Sequence, residues 1–172
     1  MEHDLYLDNE KFSCNIKNTN FHGSYGRVFV NENKTKAIKV FYKKQDDLTS
    51  KRDIHVKRTF ESEIEAYQIA YKNDITKEYI PNFFGQVAIS KIFNKNEEDV
   101  SNEYYTSYSY MMEYVNGRFR KLGTNDFSNK KELLDSFKSL GINNLRDISI
   151  IDENEMIIKI VDFSMKDIQY YV

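Results

Sequence analysis

The chain has little of what staples or punctuates a fold. Cys14 is the single cysteine in 172 residues, which excludes an internal disulfide and suits a reducing compartment. His3, His22 and His55 are the only histidines; they lie far apart and share no ligand spacing with one another or with Cys14, so structural zinc is not expected. No serine occupies a strand–turn–helix elbow beside a plausible base, which argues against a serine or cysteine hydrolase. Charge of one sign is also missing. The 25 basic residues nearly cancel against 27 acidic ones, and no lysine or arginine run interleaves with aromatics, so a nucleic-acid partner is not indicated. No apolar run approaches the roughly 20 residues needed to span a bilayer. The start, MEHDLYLDNEKF, has neither the basic opening nor the apolar stretch of a secretory signal, so export would need a route without a cleaved one. There is no internal repeat, and no low-complexity tract beyond the acidic segment NKNEEDVSNE at 94–103, which is expected to be mobile.

The length fits one compact domain, or two small lobes sharing a cleft, with enough apolar side chains for a core. The pattern is α+β. Residues 5–16 read as a leading strand, and GSYGRVFVNENKTKAIK at 23–39 reads as a glycine-flanked turn, a strand, a polar turn and a second strand ending in a lysine. Such a segment suits a triphosphate. Gly23 and Gly26 carry no Cβ to collide with phosphate oxygens, Val28 and Ala37 offer small apolar surface to a base, and Lys39 supplies a point charge. An ordinary surface hairpin has the same local pattern. The polar stretch from Tyr42 to Arg58 reads as a solvated connector or frayed helix.

Residues 59–72, TFESEIEAYQIAYK, place Phe60, Ile64, Tyr67 and Tyr71 on one helical face. At 100° per residue Glu63 lies about 60° from Phe60 on the rim of that face, and Glu65 about 140° away on the open side. Glu63 is thus the glutamate able to turn inward toward Lys39. Pro81, the only proline, ends the helical region. Strands are expected over 86–93 and 104–115, the second pairing with the first and ending at Asn116-Gly117. A second amphipathic helix follows over 129–140 with Gly141 as its stop, and then a hairpin from 148–151 and 156–161.

The order of these pieces resembles the protein kinases. GSYGRV is similar to their glycine-rich loop, KAIK to the strand lysine motif, YMMEYVNG at 110–117 to the connection between lobes, and VDFS at 161–164 to the metal-binding Asp-Phe-Gly motif with serine for glycine. The resemblance covers residues 21–164. It implies an abbreviated bilobal protein-kinase-like fold, α+β, with residues 1–115 as an antiparallel β-sheet lobe carrying one helix plus the hinge, and 116–172 as a much reduced helical lobe. It implies ATP and Mg2+ as cofactors. Gly23, Ser24 and Gly26 would cover the phosphates, with Val28 and Ala37 against the base. Met112 would be the gatekeeper, the Glu113 carbonyl and Val115 N–H would face adenine, Glu63 would orient Lys39, and Asp162 would hold metal. Phe163 would pack beneath the first helix. Phe21 stands where the first glycine of the loop is expected.

Two registers of the catalytic loop stay open. In one, Leu145-Arg146-Asp147-Ile148 is similar to the His-Arg-Asp-Leu motif, making Asp147 the acceptor-facing base and Asp152 a second metal ligand. In the other, Asn144 replaces the base and Ser149 the asparagine, and an amide takes no proton at neutral pH. An aspartate at 147 could also serve simply to cap a turn. The first register is preferred, because Asp147 is the only carboxylate between Asp135 and the hairpin turn.

Only ten residues follow Asp162, leaving no substrate platform, and this truncation is similar to the minimal kinase effectors that bacterial pathogens inject into host cytoplasm. One such family phosphorylates serine in a eukaryotic heat-shock chaperone. The implied function is a monomeric serine/threonine protein kinase acting on a protein substrate of that kind. The alternative is a pseudokinase that captures a partner without phosphoryl transfer, marked by Phe21, Asn144, Ser149 and Ser164. A small-molecule kinase would need a helical acceptor subdomain for which the chain has no room.

Overall fold

The computed structural model describes residues 2–15, 25–43, 50–120, 124–127, 130–142, 148–151, 154 and 156–165. Its class is α+β. It divides into two units, each discontinuous in sequence: Met1–Phe60 with Phe84–Tyr114, and Glu61–Phe83 with Val115–Val172.

The first unit is a seven-stranded antiparallel sheet. Its strands are β1 (Glu2–Leu7), β2 (Glu10–Asn15), β3 (Gly26–Asn31), β4 (Lys36–Tyr42), β5 (Phe83–Gln86), β6 (Ile92–Asn94) and β7 (Tyr104–Glu113), in the spatial order β5-β7-β4-β3-β2-β1-β6. The single leading strand expected over 5–16 is a hairpin instead. Asp8 and Asn9 take φ of 50° and 64°, the left-handed pair of a two-residue turn that matches strand twist. Between β3 and β4 the buried Asn31 closes the turn, its Oδ1 accepting from the Thr35 and Lys36 N–H groups and its Nδ2 donating to Glu10.

The strand expected over 86–93 is two short strands serving opposite edges of this sheet. The Ile89 N–H bonds the Thr106 carbonyl on β7, while Ile92 pairs with Leu5 on β1. Three extended residues cover about 10 Å, whereas β7 and β1 stand four strand spacings apart in the sheet order, about 19 Å if flat. The sheet therefore coils until its edges nearly meet, around a core of Leu5, Phe12, Phe29, Ile38, Val40 and Ile92. The segment 94–103 is knitted into that closure: Asn94 Oδ1 accepts from the Asn96 and Glu98 N–H groups, and Asp99 accepts from Ser101.

Helix α1 runs Ser50–Tyr71, beginning nine residues before the expected 59–72. Arg58 and its charged neighbours hide a buried stripe that starts at Val56 and continues through Thr59 and Phe60. On the sheet side Phe60 meets Phe41 edge-on at 5.7 Å and stacks on Tyr108 at 5.2 Å. The Tyr105 hydroxyl donates to Asp53.

The second unit contains a three-stranded antiparallel sheet in the order β10-β9-β8, from β8 (Arg118–Arg120), β9 (Ile148–Ile151) and β10 (Ile157–Val161), together with helix α2 (Lys131–Ser139). The hairpin of β9 and β10 is as expected; β8 is not, since Arg-Phe-Arg has no periodicity to read. Helix α2 buries Leu133 and Phe137 and stops at Gly141, whose φ of +78° lets the Gly141 and Ile142 N–H groups bond back to the Lys138 and Phe137 carbonyls. No helix among the described residues is long and apolar enough to cross a membrane.

Candidate functional site

Register decides which side chains share a face. In an antiparallel pair, residues directly opposite point the same way, and successive residues point to opposite faces. On β3 and β4, Val28 faces Lys39 and Gly26 faces Phe41; on β4 and β7, Ala37 faces Met112 and Lys39 faces Tyr110. Gly26, Val28, Ala37, Lys39 and Met112 therefore fall on one face, while Phe29, Ile38 and Val40 turn to the core. The Glu113 side chain falls on the core-facing side, opposite Met112, which is compatible with a role for its carbonyl alone. Beyond it the Tyr114 N–H still bonds the Thr35 carbonyl, and Val115 begins the second unit.

Lys39 is 6 % exposed, its ammonium 5.2 Å from the Phe41 ring centroid. Gly26 is what makes room for it. A Cβ at position 26 would stand 2.8 Å from Lys39 Cε and 3.0 Å from Cγ. The glycine thus leaves the lysine stem in its place, since a Cβ there would make the stem shift, a role not foreseen when Gly26 is read only as a phosphate-loop residue.

In the second unit the buried stripe of α1 continues through Ser62, Glu63, Ala66, Tyr67 and Ala70. Glu63 is 5 % exposed and sits in the middle of this stripe, one step further inward than the rim position expected, whereas Tyr71 is 46 % exposed instead of buried. Glu61 and Glu65 are exposed.

Asp162 leaves β10 with φ 60°, a left-handed conformation uncommon outside glycine, which aspartate and asparagine tolerate better than other residues. Its N–H donates to the Tyr67 hydroxyl at 3.3 Å. Phe163, buried, packs against the Tyr67 ring at 4.4 Å and edge-on to Phe137 at 5.7 Å, beneath the first helix as expected. Three residues past Asp162, the Met165 N–H donates to Ser62 Oγ at 2.9 Å, and Met165 bridges to Ile142.

Gly23, Ser24, Asp147 and Asp152 lie outside the described residues, as do Phe21 and Asn144, so neither register of the catalytic loop is described. Ser149 lies on β9, paired with Arg120 and Ile160. Among the described residues, no group of three or more His, Cys, Asp or Glu gathers to hold a metal ion.

A second polar cluster sits on the core-facing side of the first sheet, away from Lys39. Arg27 donates to the Tyr104 hydroxyl at 2.6 Å and lies over the Tyr42 and Tyr104 rings, and His3 Nδ1 meets the same hydroxyl at 2.7 Å. The hydroxyl accepts from Arg27 and shares a hydrogen bond with His3 Nδ1, whose part as donor or acceptor follows the ring tautomer. Burial and the Arg27 charge lower the His3 pKa, burial raises that of Tyr104, and burial pushes the Cys14 thiol up to about 11. A thiol so poised is inert packing. No pattern in the sequence links residues 3, 27 and 104.

No family model matches the chain, and neither a curated protein nor a solved structure matches it significantly.

Proposed function

We propose that the chain is a Mg-ATP-dependent protein kinase that phosphorylates serine or threonine in a folded protein acceptor. The observation that carries the reading is the lysine of β4: buried on one face with Val28, Ala37 and Met112, its stem lying where a Cβ on Gly26 would displace it. A sheet has no packing need for an ammonium there, since desolvating a charge is unfavourable unless something is gained. A buried glutamate on α1 and a left-handed aspartate followed by a buried phenylalanine support it, in the chain order a kinase requires. Phosphoryl transfer asks chiefly for positioning and charge neutralisation. Lys39 would hold the phosphates, Glu63 orient Lys39, Asp162 bind Mg2+ with Asp152, and Asp147 take the acceptor hydroxyl. Main-chain groups of Glu113 and Val115 would receive the base. The acceptor would dock as a whole protein, a host heat-shock chaperone being the candidate that the resemblance to secreted effectors suggests.

Purified protein incubated with labelled ATP and a eukaryotic lysate should transfer phosphate to a discrete band, and Lys39→Ala or Asp162→Ala should each abolish the transfer. Unchanged labelling in either variant sinks the mechanism. Phe21 and Ser164 keep a second reading in view, a partner-binding module without transfer; a melting temperature indifferent to Mg-ATP would favour it.

A further inference from the structure

We infer that the hydroxyls of Tyr67 and Ser62 are positioning residues for Asp162, holding both ends of the Asp162–Met165 turn to α1 through its main chain. The inference rests on the kinase reading for its consequence but not for its geometry. The two residues stand five apart on α1, and both are buried, Tyr67 at 0 % and Ser62 at 8 % exposure. Tyr67 accepts from the N–H of Asp162, and Ser62 accepts from the N–H of Met165. Between these two bonds Phe163 and Ser164 are buried. The Phe163 ring needs only an apolar surface from position 67, which phenylalanine would provide equally well. A hydroxyl at the buried end of that ring is therefore in excess of packing, and its bond falls on the residue with φ 60°.

A left-handed residue with a side chain has ordinary backbone open to it as an alternative, though aspartate prefers that alternative less strongly than most. Turning the 161–162 or 162–163 peptide would redirect the Asp162 carboxylate while leaving Phe163 able to stay in its pocket. The hydroxyl bond to the Asp162 N–H opposes that rotation directly, and the Ser62 bond fixes the far end, so that the turn cannot shift as a unit. The pair thus sets where the carboxylate points, without touching metal or nucleotide itself.

The test separates the clamp from its consequence. Tyr67→Phe keeps the ring stack and removes only the hydroxyl; Ser62→Ala does the same at the other end, and Ser62→Thr restores an acceptor. Amide hydrogen exchange is read at Asp162 and Met165, and labelled-phosphate turnover is followed over a range of ATP concentrations. We expect protection of the Asp162 amide to drop in Tyr67→Phe and that of Met165 in Ser62→Ala. Turnover should fall by about three- to tenfold, the loss of one hydrogen bond, chiefly in kcat with KM for ATP little changed. Ser62→Thr should recover both readouts. Unchanged exchange overturns the clamp whether or not the protein is an enzyme. Lost protection with unchanged kcat overturns the positioning role. A wild-type chain that transfers no phosphate overturns the kinase reading and the positioning role with it, and is recognised because the wild type itself is silent.

Discussion

Replacing Gly26 by alanine probes the contact on which the buried lysine depends. The new Cβ would be 2.8 Å from Lys39 Cε and 3.0 Å from Cγ, against carbon contacts that begin near about 3.5 Å, so both atoms must retreat by roughly half an ångström or more. Forcing a methyl into a filled space costs about 1–3 kcal/mol. Alanine also restricts the unfolded chain, returning about 0.5–1 kcal/mol, which leaves a net loss of about 0–2.5 kcal/mol. In a Lys39→Ala background the obstructing stem is gone, and the next neighbour, the Val40 carbonyl, stands at an ordinary 3.4 Å. There Gly26→Ala should be neutral or slightly stabilising. The four proteins form a double-mutant cycle, measured by urea denaturation, and the coupling should be about 1–3 kcal/mol. Because the cycle compares backgrounds, it does not depend on what Lys39→Ala costs alone. A Gly26→Ala cost equal in both backgrounds would show that the stem does not lie against residue 26. On the proposed kinase reading, the same displacement should lower phosphate transfer by more than it lowers stability, since a misplacement near 1 Å can reduce a rate about 100-fold.

Two further outcomes can be checked on the isolated protein. His3 is buried and neutral, with Arg27 and the N-terminus opposing its protonation and Glu103 and Asp4 favouring it, and its folded pKa is depressed below the ordinary 6.5. Its contribution to stability is therefore present above 6.5 and lost as pH falls through the folded value; Tm should decline on acidification before carboxylates titrate, and His3→Phe should flatten that decline. Gly141→Ala places a side chain at φ +78° with Met165 Cε at 3.2 Å and should destabilise by about 1–2 kcal/mol in chemical denaturation; an unchanged midpoint would mean α2 has another way to end.

Much of the architecture could be read from residue order because it rests on local periodicity. The β3–β4 pair, β7, α2 with its glycine stop and the β9–β10 hairpin all alternate or repeat at the right interval. So does the second half of α1, where helical phase alone separates buried Glu63 from exposed Glu65. What escaped depends on context or distance. Asp8-Asn9 makes a tight turn without the usual glycine, so β1 and β2 read as one strand. The first half of α1 is masked by its charges. The split of 86–93 comes from sheet closure, which pairs Leu5 with Ile92 and leaves no mark in a short window. The face shared by Gly26, Val28, Ala37, Lys39 and Met112 was legible as a motif, yet the steric tie of Gly26 to the lysine stem needs coordinates. The Arg27–Tyr104–His3 cluster spans 101 positions and has no motif at all.

The first unit is complete once Tyr114 has been made, whereas the second joins Glu61–Phe83 to a stretch that starts only at Val115. The Tyr67 hydroxyl waits for an amide 95 residues downstream, which at about 5–20 residues per second takes roughly 5–20 s. During that interval the Ala66–Tyr67–Ala70 stripe is out of the ribosome without Phe163 to cover it. Splitting the gene after codon 114 would leave the first unit whole and give a second polypeptide without Glu61–Phe83, the stretch whose Tyr67 packs on Phe163.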